Sequence, residues 1–208
     1  MVLDEILDID TPHGPARAHV QRVRDARGAL LVGHGAGGSI TAPDILEAAG
    51  AALAARLSVA RVEQPYKVAG KRTAAPAAQL DAAWLAVHGA LCAATASDAP
   101  FAGLPILSGG RSSGARVACR TAAATGVAGI VCLAFPLHPP GRPEKTRLAE
   151  LEAVAVPVLI IQGERDPFGM PPVAPGRTVV AVPGDHSLKA GVDGVAPAIA
   201  AWLPSVLS

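Results

Sequence analysis

Ser112 sits at the centre of Gly110-Arg111-Ser112-Ser113-Gly114, shortly after the apolar run Leu104-Pro105-Ile106-Leu107. A G-x-S-x-G pentapeptide at the end of a strand suits a sharp strand-to-helix turn that lifts the central side chain clear of the backbone. Glycines two positions to either side are expected because a Cβ there would strike the neighbouring strand or helix. Ser113 is off centre and would open the helix, with its N–H pointing outward and unpaired. A serine hydroxyl is a weak nucleophile, so it needs a base, and the base needs an orienting acid. In sheets with such a turn the partners follow the serine in the order Asp or Glu, then His. Asp166 follows Gly163-Glu164-Arg165, and His186 follows Gly184-Asp185. Ser112, Asp166 and His186 are therefore the candidate catalytic residues. Glu164 and Asp185 are rival acids close by, and adjacent side chains on a loop usually diverge. The plainer alternative is a Gly/Ser turn that only links strand to helix.

The segment Gly33-His34-Gly35-Ala36-Gly37-Gly38 has two readings. Gly33, Gly35 and Gly38 fit the dinucleotide fingerprint G-x-G-x-x-G, with Glu63 placed to hold a ribose. That reading requires a helix to open at the glycines. Here Ser39-Ile40-Thr41-Ala42-Pro43 intervenes, and Thr41 with Asp44 has the spacing of a capping box, which puts the helix start near Thr41. The other reading is an oxyanion loop, in which the N–H groups of Ala36 and Ser113 face a reacting carbonyl oxygen. It is preferred because the fingerprint leaves Ser112, Asp166 and His186 unexplained. His34 then shapes the loop. Arg111, beside the candidate nucleophile, is expected to form an ion pair, with Glu63 as the partner.

The elements that must carry these residues are visible as apolar runs, each leading to a loop: Ala29–Val32, Ser58–Val62, Pro105–Leu107, Gly129–Leu133, Val158–Gln162 and Thr178–Val182. Helical segments lie between most of them: Pro43–Leu57, Pro76–Cys92, Ser113–Thr125 and Gly194–Leu203. Continuous apolar strands alternating with helices predict a mostly parallel sheet covered on both faces. Before them, Ile6–Asp10 and Arg17–Val23 flank Thr11-Pro12-His13-Gly14-Pro15, a hairpin signal. The expected fold is a single α/β domain over residues 1–208, with an eight-stranded sheet and an N-terminal antiparallel hairpin. In such sheets ligands bind beyond the carboxyl ends of the strands. His13 and His19 are expected far from those ends, and His88 inside a helix.

Composition narrows the function classes. Half of the 208 residues are hydrophobic, 17% are charged and the net charge is +1, a balance that does not favour a nucleic-acid partner. The apolar runs are too short and too interrupted by Gly and Pro to span a membrane. The acidic start MVLDEILDID lacks the basic region of a secretory signal, so a cytoplasmic protein is expected. Cys92, Cys119 and Cys132 have no C-x-x-C spacing and lie in apolar surroundings, as buried thiols do. Neither a metal nor an organic cofactor is expected.

HGAGG, GRSSG, an Asp after GER and a His after GD together resemble the α/β-hydrolase superfamily. Glu63-Gln64-Pro65-Tyr66, Phe135-Pro136-Leu137-His138-Pro139-Pro140-Gly141 and Asp185-His186-Ser187-Leu188-Lys189 narrow the resemblance. They are similar to the small, lidless dienelactone-hydrolase-like branch, which also includes subunits of eukaryotic chromatin complexes. The resemblance spans nearly the whole chain. It implies Ser112 as nucleophile, Asp166 as acid and His186 as base. At the nucleophile, dienelactone hydrolases proper have cysteine where this chain has serine. Family members include esterases, thioesterases, peptidases and proteins with no demonstrated chemistry.

Larger relatives carry a lid after the sixth strand. Here Ala134–Pro143, with four prolines, cannot form a helical cap. A shallow pocket for a small-molecule ester is expected, with His34, Tyr66, Arg111, Phe135 and His138 as candidate lining residues. A non-catalytic binding or scaffold protein on the same fold is the alternative.

Overall fold

The computed structural model describes residues 2–93 and 99–207. Its centre is an eight-stranded sheet. The strands are β1 (Val2–Ile9), β2 (Ala16–Val23), β3 (Gly28–Gly33), β4 (Leu57–Glu63), β5 (Ile106–Arg111), β6 (Gly129–Leu133), β7 (Val158–Gly163) and β8 (Arg177–Val182). The order across the sheet is β1-β2-β4-β3-β5-β6-β7-β8; β1 and β2 form the antiparallel hairpin, β2 runs antiparallel to β4, and β4, β3, β5, β6, β7 and β8 run parallel to one another.

Alternation along the central strands builds two cores. On one face Leu31, Ile130, Cys132 and Ile160 pack under α3 (Ala77–Cys92) and α4 (Ser113–Thr125). On the other, Leu30, Val32, Val131, Leu133, Leu159 and Ile161 pack under α1 (Pro43–Ala54) and α6 (Val195–Trp202). Because both faces are covered, these strands read as unbroken apolar runs. α4 is closed at its end by Gly126 in the left-handed conformation, φ 62°. Arg120 pairs with Asp81 of α3 at 2.6 Å, and Arg116 pairs with Glu150 of α5 (Leu148–Glu152) at 2.5 Å. The helix that follows Ser112 is thus fixed against both neighbours.

Three expectations need correction. α1 begins at Pro43 with Ala42 before it, and no side chain caps it. Thr41 instead pairs with Ser39, their hydroxyl oxygens 2.8 Å apart, while Asp44 turns inward and is buried. The N-terminal strands begin earlier than the alternation suggested, at Val2 and Ala16. Finally, Arg17 pairs with Glu63 in register, so the turn between β1 and β2 lies at the carboxyl edge of the sheet. His13 is therefore not far from the strand ends. It lines a cavity of about 210 Å³ with Gln64, Tyr66 and Leu80. His19 lies 3.2 Å from Glu63. His88 is on α3 and half-buried, as expected.

No helix among the described residues is long and apolar enough to cross a membrane. Cys119 and Cys132 are buried free thiols with Sγ atoms 3.7 Å apart, and Cys92 is half-buried.

Candidate active site

Ser112 joins β5 to α4 with φ 51° and ψ −107°, a conformation that costs about 1–3 kcal/mol for a residue with a side chain. The surroundings impose it. The Ser112 N–H donates to the Leu133 carbonyl at 2.8 Å, and the next residue is already helical. A Cβ on Gly110 would lie 2.5 Å from the Gly114 carbonyl carbon, and one on Gly114 would lie 2.7 Å from the Gly33 carbonyl oxygen. The glycines thus let α4 start hard against β3, which turns the serine outward. Gly114→Ala should therefore be destabilising by about 1–3 kcal/mol, the usual range for overpacking. In a chain of this size that is roughly 2–12 °C in Tm, measurable by thermal denaturation. An unchanged Tm would mean that the turn relaxes around the extra methyl.

His186 and Asp166 meet the serine at the same edge. Ser112 Oγ lies 2.9 Å from His186 Nε2, and His186 Nδ1 lies 2.7 Å from Asp166 Oδ2. A carboxylate only accepts, so Nδ1 carries the imidazole proton and Nε2 is left to receive one from Ser112. The Asp166 side chain is 1% exposed and further held: the Phe168 N–H donates to Oδ1 at 2.8 Å, and Gln162 Nε2 donates to Oδ2 at 2.7 Å. The rivals point elsewhere. Glu164 is exposed, and Asp185 Oδ1 accepts from the N–H and hydroxyl of Ser187. Those bonds from Ser187 hold the Asp185 carboxyl below the ordinary carboxylate range.

The loop after β3 is shaped from beneath by His34. Its Nε2 accepts from the Gln64 N–H at 3.1 Å, so Nδ1 holds the proton and donates to the Gly35 carbonyl at 2.8 Å. Burial pushes the pKa of His34 down, in keeping with a neutral ring. The Gly38 N–H donates to the Gly35 carbonyl at 3.0 Å, closing a turn with Ala36 exposed at its tip. Tyr66 holds that tip, its hydroxyl donating to the Ala36 carbonyl at 2.8 Å. Burial raises the phenol to about 12, so it stays a donor. The helix that follows opens at Pro43, not at the glycines, and Glu63 faces His19, so the dinucleotide reading loses both of its contacts.

Among the candidate pocket residues, Arg111 pairs with Asp44 rather than Glu63, at 3.6 Å. The reason is strand order: β4 and β5 flank β3 on opposite sides. Phe135 is wholly buried in the core and lines no open pocket. Its backbone carbonyl accepts from Gln162 Nε2. His34 is likewise buried, against a small void that also touches Ser113 and Trp84. Tyr66 lines the His13 cavity. His138 is half-buried beside Gly169, its Nδ1 2.9 Å from the Pro139 carbonyl.

Sequence reasoning missed Gln162, the wholly buried amide behind Asp166, and Phe168, whose ring lies 4.1 Å from that of His186 at 32°. A buried polar residue in an apolar strand signals the first. Nothing local signals the second.

A family model described as an alpha/beta hydrolase domain matches residues 26–192. The chain belongs to the α/β-hydrolase family. No curated protein gave a match to this α/β-hydrolase. Among solved structures it is similar in fold to a lidless α/β serine hydrolase from Xanthomonas campestris, at 20% identity and a TM-score of 0.73, covering 98% of this chain and 95% of that one. Dienelactone hydrolase from Anabaena variabilis is similar at 18% identity and a TM-score of 0.75, covering 100% and 99%. Est1E from Butyrivibrio proteoclasticus is similar at 15% identity and a TM-score of 0.73, covering 96% and 98%. The segment between β6 and α5, where larger relatives place a lid, contains no helix.

Proposed function

We propose that this α/β-hydrolase cleaves carboxylic esters with short or exposed acyl groups by acyl transfer through Ser112. The supporting observation is the contact chain Ser112 Oγ to His186 Nε2 at 2.9 Å and His186 Nδ1 to Asp166 Oδ2 at 2.7 Å. His186 takes the hydroxyl proton as Oγ attacks the ester carbonyl carbon. Asp166 holds the tautomer and stabilises the imidazolium that forms. The N–H groups of Ala36 and Ser113 donate to the oxyanion; losing one such donor typically costs about 10²–10³ in rate. His186 then gives its proton to the leaving alcohol as the C–O bond breaks. Water, deprotonated by the same nitrogen, releases the acid and restores the serine. The steps use protein groups and water alone.

A binding or scaffold protein would have no use for a strained serine aligned with a histidine and a buried carboxylate. The name of a structural neighbour, an esterase from Pyrococcus furiosus at 14% identity and a TM-score of 0.75, agrees with ester chemistry, at an identity that bears on fold alone. With no helical cap between β6 and α5, the acyl site is open. p-Nitrophenyl acetate or butyrate is expected to be cleaved roughly tenfold or more faster in kcat/KM than the palmitate ester, since without a helical cap a long chain gains little apolar cover. A screen over ester, thioester and aminopeptide substrates, run beside Ser112→Ala, tests the class. A preference for palmitate, or activity confined to peptides, would contradict it.

A further inference from the structure

Arg111 is placed to touch the serine, the main chain of the histidine and the glycine loop at once. As the last residue of β5 it is bonded to Ser112. Its Nη2 donates to the His186 carbonyl at 2.8 Å, and its Nε lies 3.6 Å from Asp44 Oδ2. A Cβ on Gly35 would stand 3.1 Å from Nη1, so the oxyanion loop lies against the guanidinium. The Asp44 side chain is 2% exposed, and its Oδ2 has no hydrogen-bond partner. Burial pushes this carboxyl up, and Arg111 is the largest influence opposing it. A buried carboxylate without its cation would be costly, so the two residues lock each other in place. The guanidinium is thereby occupied by the protein itself, which leaves it poorly placed to read an anionic substrate.

We infer that Arg111, anchored by Asp44, is a positioning residue that holds the main chain of His186 at the distance Ser112 requires. Asp166 orients the imidazole ring, and Arg111 fixes the backbone from which the ring hangs. The planar fork matters, because a lysine ammonium is a single point and cannot serve the His186 carbonyl and Asp44 in the same geometry. This inference rests on the serine–histidine reading above.

The test uses Arg111→Met, Arg111→Lys, Asp44→Asn and the double variant Arg111→Met/Asp44→Asn. Arg111→Met is expected to lower kcat for p-nitrophenyl acetate by about 10²-fold, the scale of a misplacement near 1 Å, with KM within about threefold. The rate at which a fluorophosphonate labels Ser112 should fall in parallel. Arg111→Lys should recover little of the loss. The double variant removes the orphaned charge and should regain thermal stability without regaining kcat. Recovery of both would show that Arg111 only neutralises Asp44 and would overturn the inference. So would a raised KM at unchanged kcat, the mark of substrate recognition. A parent protein that resists labelling would overturn the serine reading and this inference with it. A parent that labels at the same rate as Arg111→Met would overturn the inference alone.

Discussion

Ser112→Ala is expected to lower kcat for p-nitrophenyl acetate on the order of 10⁴–10⁶-fold, with the fold intact. A nucleophile, base and acid that act as a unit lose nearly everything when the nucleophile goes, and the residue of rate comes from the oxyanion donors and binding. The substitution removes one oxygen atom from a half-exposed position, so circular dichroism and Tm should be close to those of the parent. Loss of the hydroxyl also frees Ser112's contact with His186 Nε2 at 2.9 Å without disturbing Asp166. Initial rates at saturating substrate measure the effect. A variant within about tenfold of the parent would mean that ester cleavage proceeds without an acyl-Ser112 intermediate.

Asp166→Asn is expected to cost about 10⁴-fold in kcat, the size found for the equivalent change in a serine protease. Asp166 Oδ2 receives both His186 Nδ1 and Gln162 Nε2 at 2.7 Å. An asparagine amide cannot accept from both with its nitrogen turned that way, and it cannot balance an imidazolium. The ring would favour the tautomer with its proton on Nε2, which blocks proton transfer from Ser112. Glu164→Gln and Asp185→Asn should stay within about threefold, because one is exposed and the other is bound to Ser187. If Asp166→Asn stays that close while either neighbour loses over a hundredfold, the acid has been assigned to the wrong carboxylate.

Much of this was legible before the structure because the informative features are local. A parallel strand buried on both faces is an apolar run, and its end is marked where glycines begin. Ser112 could be singled out because the crowding at Gly110 and Gly114 is written into its own pentapeptide. Two misplaced features are decided by strand order. β2 pairs with β4, which brings the His13 turn to the carboxyl edge, and no pattern within either strand records that pairing. The same order separates Arg111 from Glu63 and gives it Asp44. Asp44 itself looked like a capping residue, since spacing alone cannot tell a first-turn acid that faces its own helix from one that faces the core. The motif around Phe135 points to pocket lining. The ring of Phe135 instead lies in the core on the α3 and α4 side of the sheet, while its carbonyl helps to hold Gln162 behind Asp166.

Covalent labelling tests the central claim most directly. The protein incubated with a fluorophosphonate should gain the mass of one phosphonyl group, and peptide mapping should place it on Ser112. Among the described serines only Ser112 has its oxygen 2.9 Å from a base; Ser113 begins α4 beside it without that contact. Labelling should vanish in Ser112→Ala and persist in Ser113→Ala. Modification at Ser113, or none on the folded protein, would contradict the account.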